Sequence, residues 1–288
     1  MILKYRVVIL SYDISEVAPY INWVYFFFAW QVKDEAEQRR LRGEAEKCLS
    51  SFEGKYHTHA LFQLFDAHSD GDDIVVGRSE EEGVRRKEEG TRIPCLRQQQ
   101  ADSNYLCLAD FIAPLTSLSP EKGSRRGTEI GLFATSADSG LEHDFDGDPY
   151  AKMMAQLLAD RLAEATAERL HEQVRKEFWG YAADEQLTIA EMQQERWQGI
   201  RPAVGYPSLP DASVNFILDR LLDFSKIGIT LTESGAMRPH ASVSGLMMAH
   251  PEARYFSVGK IGDDQLRDYA RRRGLPLQDV RKFLSSNI

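Results

Sequence analysis

The residue pattern predicts a chain that mixes helices with strands. Ala151–Trp179 repeats apolar residues at helical spacing, whereas short β-prone runs such as His59–Phe65 and Ile130–Thr135 lie elsewhere, between turn-forming residues. No composition shift marks a linker in the 288 residues and no internal repeat or low-complexity tract is visible; the length allows one domain or two, and a sizeable core in either case. A hydrophobic fraction of 43 % with 27 % charged residues is ordinary for a globular chain and argues against wholesale disorder.

The elements follow in order. Met1–Leu10, apolar but broken by Lys4 and Arg6 and followed by no small-residue cleavage site, reads as a first strand. Ile21–Trp30 is the most apolar stretch, yet it is about half the ~20 residues a membrane span needs and contains Asn22. Gln31–Phe52 predicts a charged helix with Ala36, Leu41, Ala45 and Leu49 on one side. His59–Phe65 and Ile74–Gly77 predict strands around the Gly71-Asp72-Asp73 turn. Glu80–Gly90 is a charge run and Ser117–Thr128 a surface loop; Ile130–Thr135 is a strand. In the long helix Ala151–Trp179, Met154, Leu157, Leu158, Leu162, Ala165, Leu170, Val174 and Phe178 form the buried stripe. Glu164, Glu168, His171 and Arg175 share a different face, which is expected to meet solvent. A second helix is predicted around Leu187–Trp197. Prolines at 202, 207 and 210 then forbid a helix in Arg201–Asp211. Ser213–Ile227 reads as helix, and Ile229–Ser234, Ser244–Ala249 and Tyr255–Gly259 as strands. Two final helices, Asp263–Arg273 and Pro276–Leu284, have Asp263 as an N-cap, Gly274 as a stop and Pro276 in the first turn of the second.

The net charge of −9 opposes general nucleic-acid binding, which needs a positive surface. The last helix pair has helix-turn-helix proportions, but Arg271-Arg272-Arg273 sits in a last turn, where the helix dipole favours cations anyway. Three cysteines, Cys48, Cys95 and Cys107, have no metal-binding spacing and point to a reducing cytoplasm, with no membrane association expected. Standard catalytic signals are missing. There is no G-x-G-x-x-G and no Walker loop, and Ala241-Ser-Val-Ser-Gly245 lacks the first glycine of a nucleophile elbow. Asp144-Phe-Asp-Gly-Asp148 fails as a calcium loop because Pro149 and Ala155 occupy the positions of the required glycine and glutamate. His57 and His59 share a strand face without a third ligand, so no metal site is expected.

One constellation carries chemistry: Glu164, Glu195, Arg201, Gly205-Tyr206 and Tyr255. An arginine beside backbone that cannot be helical offers a fork for a carboxylate, and the exposed amides and carbonyls of such backbone can read a planar ring. Acidic and aromatic groups suit a cation. A ligand with a carboxylate, a positive centre and an aromatic base fits that set.

At these residues the sequence resembles the C-terminal activation domain of cobalamin-dependent methionine synthase. The carrying segments are Leu158–Ala165, Leu170–Tyr181, Gln198–Ala203 with Gly205-Tyr-Pro207, Leu231–Ser234, and Ala241–Gly245 with His250-Pro251. Weaker matches lie at Tyr20–Phe27, Leu96–Gln99 and Leu108–Phe111, so the resemblance runs from about Tyr20 to the C-terminus, with residues 1–19 as an N-terminal extension. It implies that residues 1–288 form a single curved α+β domain with a twisted antiparallel sheet and flanking helices, binding S-adenosylmethionine. Its methyl group would go to an oxidised cobalamin held by a cobalamin-binding module or another corrinoid protein, after reduction by a flavodoxin-like reductase. Arg201 matches the arginine that holds the ligand's carboxylate, and the backbone near Ala203 and Tyr206 faces the adenine. Tyr255 and Phe256 match an aromatic pair, Glu164 and Glu195 site-lining glutamates. No catalytic acid or base is implied.

Departures from the family pattern bear on affinity. Asn22 stands where the family has an aspartate that contacts the ligand's amino group, Val204 replaces a proline, Ala212 a histidine and Phe256 a tyrosine. The homocysteine, folate and cobalamin modules of the complete enzyme are not in these 288 residues. The resemblance therefore implies a component acting in trans, not a complete enzyme. The alternative is a non-catalytic module that docks on a corrinoid protein or flavodoxin-like reductase without using the ligand.

Overall fold

A computed structural model describes residues 6–77, 90–100, 104–115 and 129–288. Strand β1 (Val8–Asp13) runs into the single turn α1 (Ile14–Val17), then α2 (Trp23–Ala29) and α3 (Glu35–Phe52). Asn22 caps α2, its side chain accepting from the Val24 N–H, and Asp34 caps α3 in the same way through Glu37. Leu41, Ala45, Leu49 and Phe52 are the buried face of α3; Ala36, expected there, is exposed because it lies in the first turn beyond the core.

The sheet is built on β2 (His57–Asp70), which is longer than the predicted His59–Phe65. One of its edges is shared. Its first half pairs with β1 and its last four residues with β3 (Asp73–Val76), which pairs in turn with β4 (Thr91–Pro94). Along its other edge runs β5 (Glu129–Ala137), and β5 pairs with β8 (Ser242–Met247). Every pairing is antiparallel, in the order β4-β3-β2-β5-β8 with β1 joined to β2. Alternation along β2 sends Phe62 and Leu64 to one face and Leu61, Phe65 and Ala67 to the other, and both faces are buried. All nine residues of β5 are therefore buried, and its two hydroxyls are bonded, Thr135 to the Ala163 carbonyl and Ser136 to the Ile227 carbonyl.

Between these strands lie α4 (Gly140–His143) and α5 (Pro149–Gln173), the latter capped by Asp148 with Pro149 in its first turn and continued by a wide π turn, Val174–Phe178. The α5 stripe covers the β2–β5–β8 face that carries Phe62, Phe133 and Met247. The predicted helix Leu187–Trp197 is only one turn, α6 (Ile189–Met192). The predicted Ser213–Ile227 helix is regular only over α7 (Asn215–Leu222), because Asp223 adopts a left-handed φ of 61°. Two short strands, β6 (Thr230–Leu231) and β7 (Met237–Arg238), form a hairpin, and Tyr255–Gly259 is extended chain that joins no strand ladder. Gly262, rather than Asp263, is the N-cap of α8 (Asp263–Arg273), Gly274 ends it, and α9 (Leu277–Phe283) begins after Pro276.

The arginine run of α8 is used in tertiary contacts. Arg272 bonds Asp73 and Asp268, and Arg273 lies 3.4 Å from Asp211 and donates to Ser213. Those guanidinium groups staple the last helices to the sheet end and to the 211–213 turn. Among the described residues no helix is long and apolar enough to cross a membrane. The charge run Glu80–Gly90, save Gly90, and the loop Ser117–Thr128 lie outside the described residues.

Candidate functional site

The proline-punctuated segment organises the site. It lies along the free edge of β8 as an interrupted strand. Ile200 exchanges two 2.9 Å backbone bonds with Met248, the Leu246 N–H donates to Pro202, and the Val204 N–H to Ser244. Ala203 sits opposite Gly245 between those bonds, which turns its own N–H away from β8. Glycine is required opposite: a Cβ at Gly245 would stand 2.3 Å from the Pro202 oxygen. Gly245→Ala is therefore expected to destabilise the protein by about 1–3 kcal/mol and to displace Arg201 and Ala203; denaturant titration of the variant measures the first effect.

Above this segment is a cavity of about 730 Å³. Its walls come from the Tyr20–Tyr25 region, from α5 through Arg161, Glu164 and Glu168, from the turn after α6, from residues 201–208, and from Tyr255–Ser257. Every candidate residue named from the sequence lines it except Gly205. Gly205 instead turns the chain at φ 87°, its N–H donating to the Leu209 carbonyl.

Arg201 is at the floor. Its backbone N–H donates to the Tyr255 hydroxyl at 2.9 Å, and its guanidinium donates to the Ala167 carbonyl and to Glu168. Burial opposes its charge, but the Glu168 carboxylate foremost holds its pKa above the ordinary arginine range. Tyr206 donates its hydroxyl to Glu164 across the cavity; burial and then that carboxylate raise its pKa. Glu195 follows α6 in the left-handed region at φ 56°, a conformation that costs a non-glycine residue about 1–2 kcal/mol. It lines the cavity, where burial, then the charge of Glu168, raises its pKa against the opposing effect of Arg201.

Beneath the floor lies a buried polar layer where the helix face Glu164, Glu168, His171, Arg175 was expected to meet solvent. His171 and Arg175 are fully buried. Trp197 is wedged between two guanidinium groups, Arg175 at 4.9 Å and Arg201 at 5.9 Å from its ring, with His171 edge-on at 5.4 Å. Arg175 is bidentate to Glu185, with bonds of 2.6 to 3.0 Å. Burial, then Arg201 and Arg175, pushes the His171 pKa down, so the ring is neutral near pH 7. The covering segment, residues 181–201, forms only one helical turn, α6, so no regular apolar spacing marks it as a cover.

Sequence reasoning also missed Glu168 as a site residue, although its four-residue spacing from Glu164 placed it on the same helix face. The histidine pair is bound to carboxylates: His59 to Asp138 at 2.8 Å and His57 to Asp13 at 3.2 Å. Among the described residues no group of three metal-ligating side chains is present.

Comparison with known proteins agrees with this geometry. The family profile described as vitamin B12 dependent methionine synthase, activation domain, matches residues 13–274. The crystal structure of the MetH reactivation domain bound to AdoHcy superposes with a TM-score of 0.88 at 37 % identity, covering 99 % of this chain and 91 % of that one. A match over most of the length, joined to the same curved α+β fold, makes this chain a member of the activation-domain family of vitamin B12-dependent methionine synthase.

Proposed function

We propose that the cavity binds S-adenosylmethionine and that the chain presents its sulfonium methyl group to a cobalamin held by a corrinoid module. The supporting observation is a buried guanidinium, Arg201, in a cavity that is also lined by Glu164, Glu168 and Glu195 and by aromatic side chains. Arg201 takes the ligand's carboxylate with the donors that Ala167 and Glu168 leave free, and the backbone of Ala203 and Tyr206 faces the adenine. Tyr255 and Phe256 flank the ligand, and Glu164 and Glu195 favour its positive sulfur. Asn22, at the rim, offers a neutral contact.

The bound ligand supplies an activated methyl group. This chain holds and aims it, with no acid or base required. The corrinoid module, reduced by a flavodoxin-like partner, approaches over α2, where Val24, Tyr25 and Phe28 are 73 %, 60 % and 81 % exposed and Tyr25 also lines the cavity. Residues 1–288 act as one domain, a reading supported by β1 and β8, from opposite ends of the chain, joining one sheet. The free cysteines Cys48, Cys95 and Cys107 suit the cytoplasm.

Calorimetry with S-adenosylmethionine and with S-adenosylhomocysteine, across pH, tests the assignment. Glu195 in the free protein holds its proton more tightly than it does beside a cation, so binding S-adenosylmethionine releases that proton. Affinity therefore rises with pH through the raised Glu195 titration and is lost as pH falls through it. The loss expected as pH falls through that titration is larger for the sulfonium than for the neutral thioether, and it flattens in Glu195→Gln. Absence of heat from both ligands at every pH overturns the assignment.

A further inference from the structure

Tyr255–Gly259 runs along the cavity as extended chain that joins no strand ladder, and its backbone is held instead by the turn that follows Gly205. That turn is closed on itself: the Gly205 N–H donates to the Leu209 carbonyl and the Leu209 N–H to the Tyr206 carbonyl, both at 2.8 Å. Its Pro207 carbonyl accepts from the Val258 N–H at 2.9 Å. Its Ser208 hydroxyl holds both polar groups of one residue, accepting from the Phe256 N–H at 3.3 Å and donating to the Phe256 carbonyl. A hydroxyl donates and accepts at once, so one serine replaces the pair of backbone groups that a neighbouring strand offers. Ser208 is 6 % exposed, so losing that hydroxyl leaves the Phe256 groups beside it without a partner.

Resting on the S-adenosylmethionine reading, we propose that Ser208 is a positioning residue, whose hydroxyl fixes the Tyr255–Ser257 segment in place before the ligand arrives. Ser208 and all three residues of that segment line the cavity. Tyr255 is tied at its far end as well, its hydroxyl accepting from the Arg201 N–H at 2.9 Å, and the Ser257 carbonyl accepts from Gln98 at 2.8 Å. Tyr255 remains 37 % exposed, so it keeps surface for a ligand although both its ends are tied. Ser208 acts through this aromatic wall: a segment already ordered in the free protein costs less to bind against than one that must be ordered on binding.

Calorimetry with S-adenosylhomocysteine, run well below each protein's melting temperature, reads the effect. Ser208→Ala is expected to weaken binding about three- to tenfold, the cost of ordering a segment that the wild type already holds. Ser208→Thr keeps the hydroxyl and is expected to bind within about twofold of wild type. Hydrogen exchange locates the cause: the Phe256 amide is expected to be protected in the free wild type, and in Ser208→Ala only once ligand is bound. Unchanged affinity in a Ser208→Ala protein that only melts earlier overturns the proposal in favour of a structural bond. So does a Phe256 amide that exchanges freely in the ligand-free wild type, a measurement that needs no variant. If wild type gives no heat with S-adenosylhomocysteine, the S-adenosylmethionine reading falls and takes this one with it; wild-type binding together with either of the two preceding results sinks the Ser208 role alone.

Discussion

Arg201→Ala is expected to weaken S-adenosylmethionine binding at least about 100-fold, about 2.7 kcal/mol, because it removes the one guanidinium placed to take the ligand's carboxylate in a desolvated floor. The same change strands Glu168, whose Oε1 loses its partner while Oε2 already has none. Part of the effect will therefore be a loss of stability, on the order of 3 kcal/mol for a broken buried pair. Arg201→Lys separates the two consequences. It keeps a positive charge near Glu168 but not the planar fork, so it should recover most of the stability and only part of the affinity. Calorimetry beside thermal melting measures both, and an alanine variant that binds as tightly as wild type removes Arg201 from the site.

Arg175→Ala should produce the largest stability change among single substitutions in this chain, about 3–5 kcal/mol, against a total of about 5–15 kcal/mol for an ordinary domain. Among the described residues Arg175 is the largest fully buried side chain, its partner Glu185 is 9 % exposed at the side chain, and its guanidinium packs on Trp197. Removing it leaves a carboxylate without a counter-ion and opens a cavity beside the tryptophan that also supports Arg201. Replacing both partners by apolar residues, Arg175→Met with Glu185→Leu, should cost much less than Arg175→Ala, because no buried charge then goes unpaired. Denaturant unfolding of the three variants tests this. A loss below about 1 kcal/mol for Arg175→Ala means that the pair is solvated and the layer is not a core.

The two substitutions probe parts of the molecule that differed in how readable they were. Periodicity located α5, its buried stripe and the final helix pair, because those elements bury apolar faces and the spacing of apolar residues records it. Prolines at 202, 207 and 210 forbade a helix, and the segment has none. The resemblance brought Glu164, Glu195, Arg201, Tyr206 and Tyr255 together before any geometry was known, and they line one cavity.

Four-residue spacing showed that Glu164, Glu168, His171 and Arg175 share a face, but it carries no information about what covers that face. Residues 181–201 cover it with an ion pair and a tryptophan wedged between guanidinium groups, contacts between residues that sequence spacing does not relate. Tyr255–Gly259 looked like a strand for a similar reason: an extended run has strand-like alternation whether or not a neighbouring strand accepts its N–H groups, and here Val258 donates to Pro207 instead.

The order of residues was therefore enough to establish the main helices, the proline-broken segment and the chemical character of the site, since these depend on local periodicity, on proline's missing donor and on which residue types are present, while the α+β class came from the family resemblance. Tertiary structure alone decided that Gly245 lets residues 201–204 lie against β8, that Arg201 is already paired with Glu168, and that one Glu168 oxygen remains without a donor. Those facts depend on which distant segments come into contact, and burial then determines whether a charge is solvated, paired or unpaired.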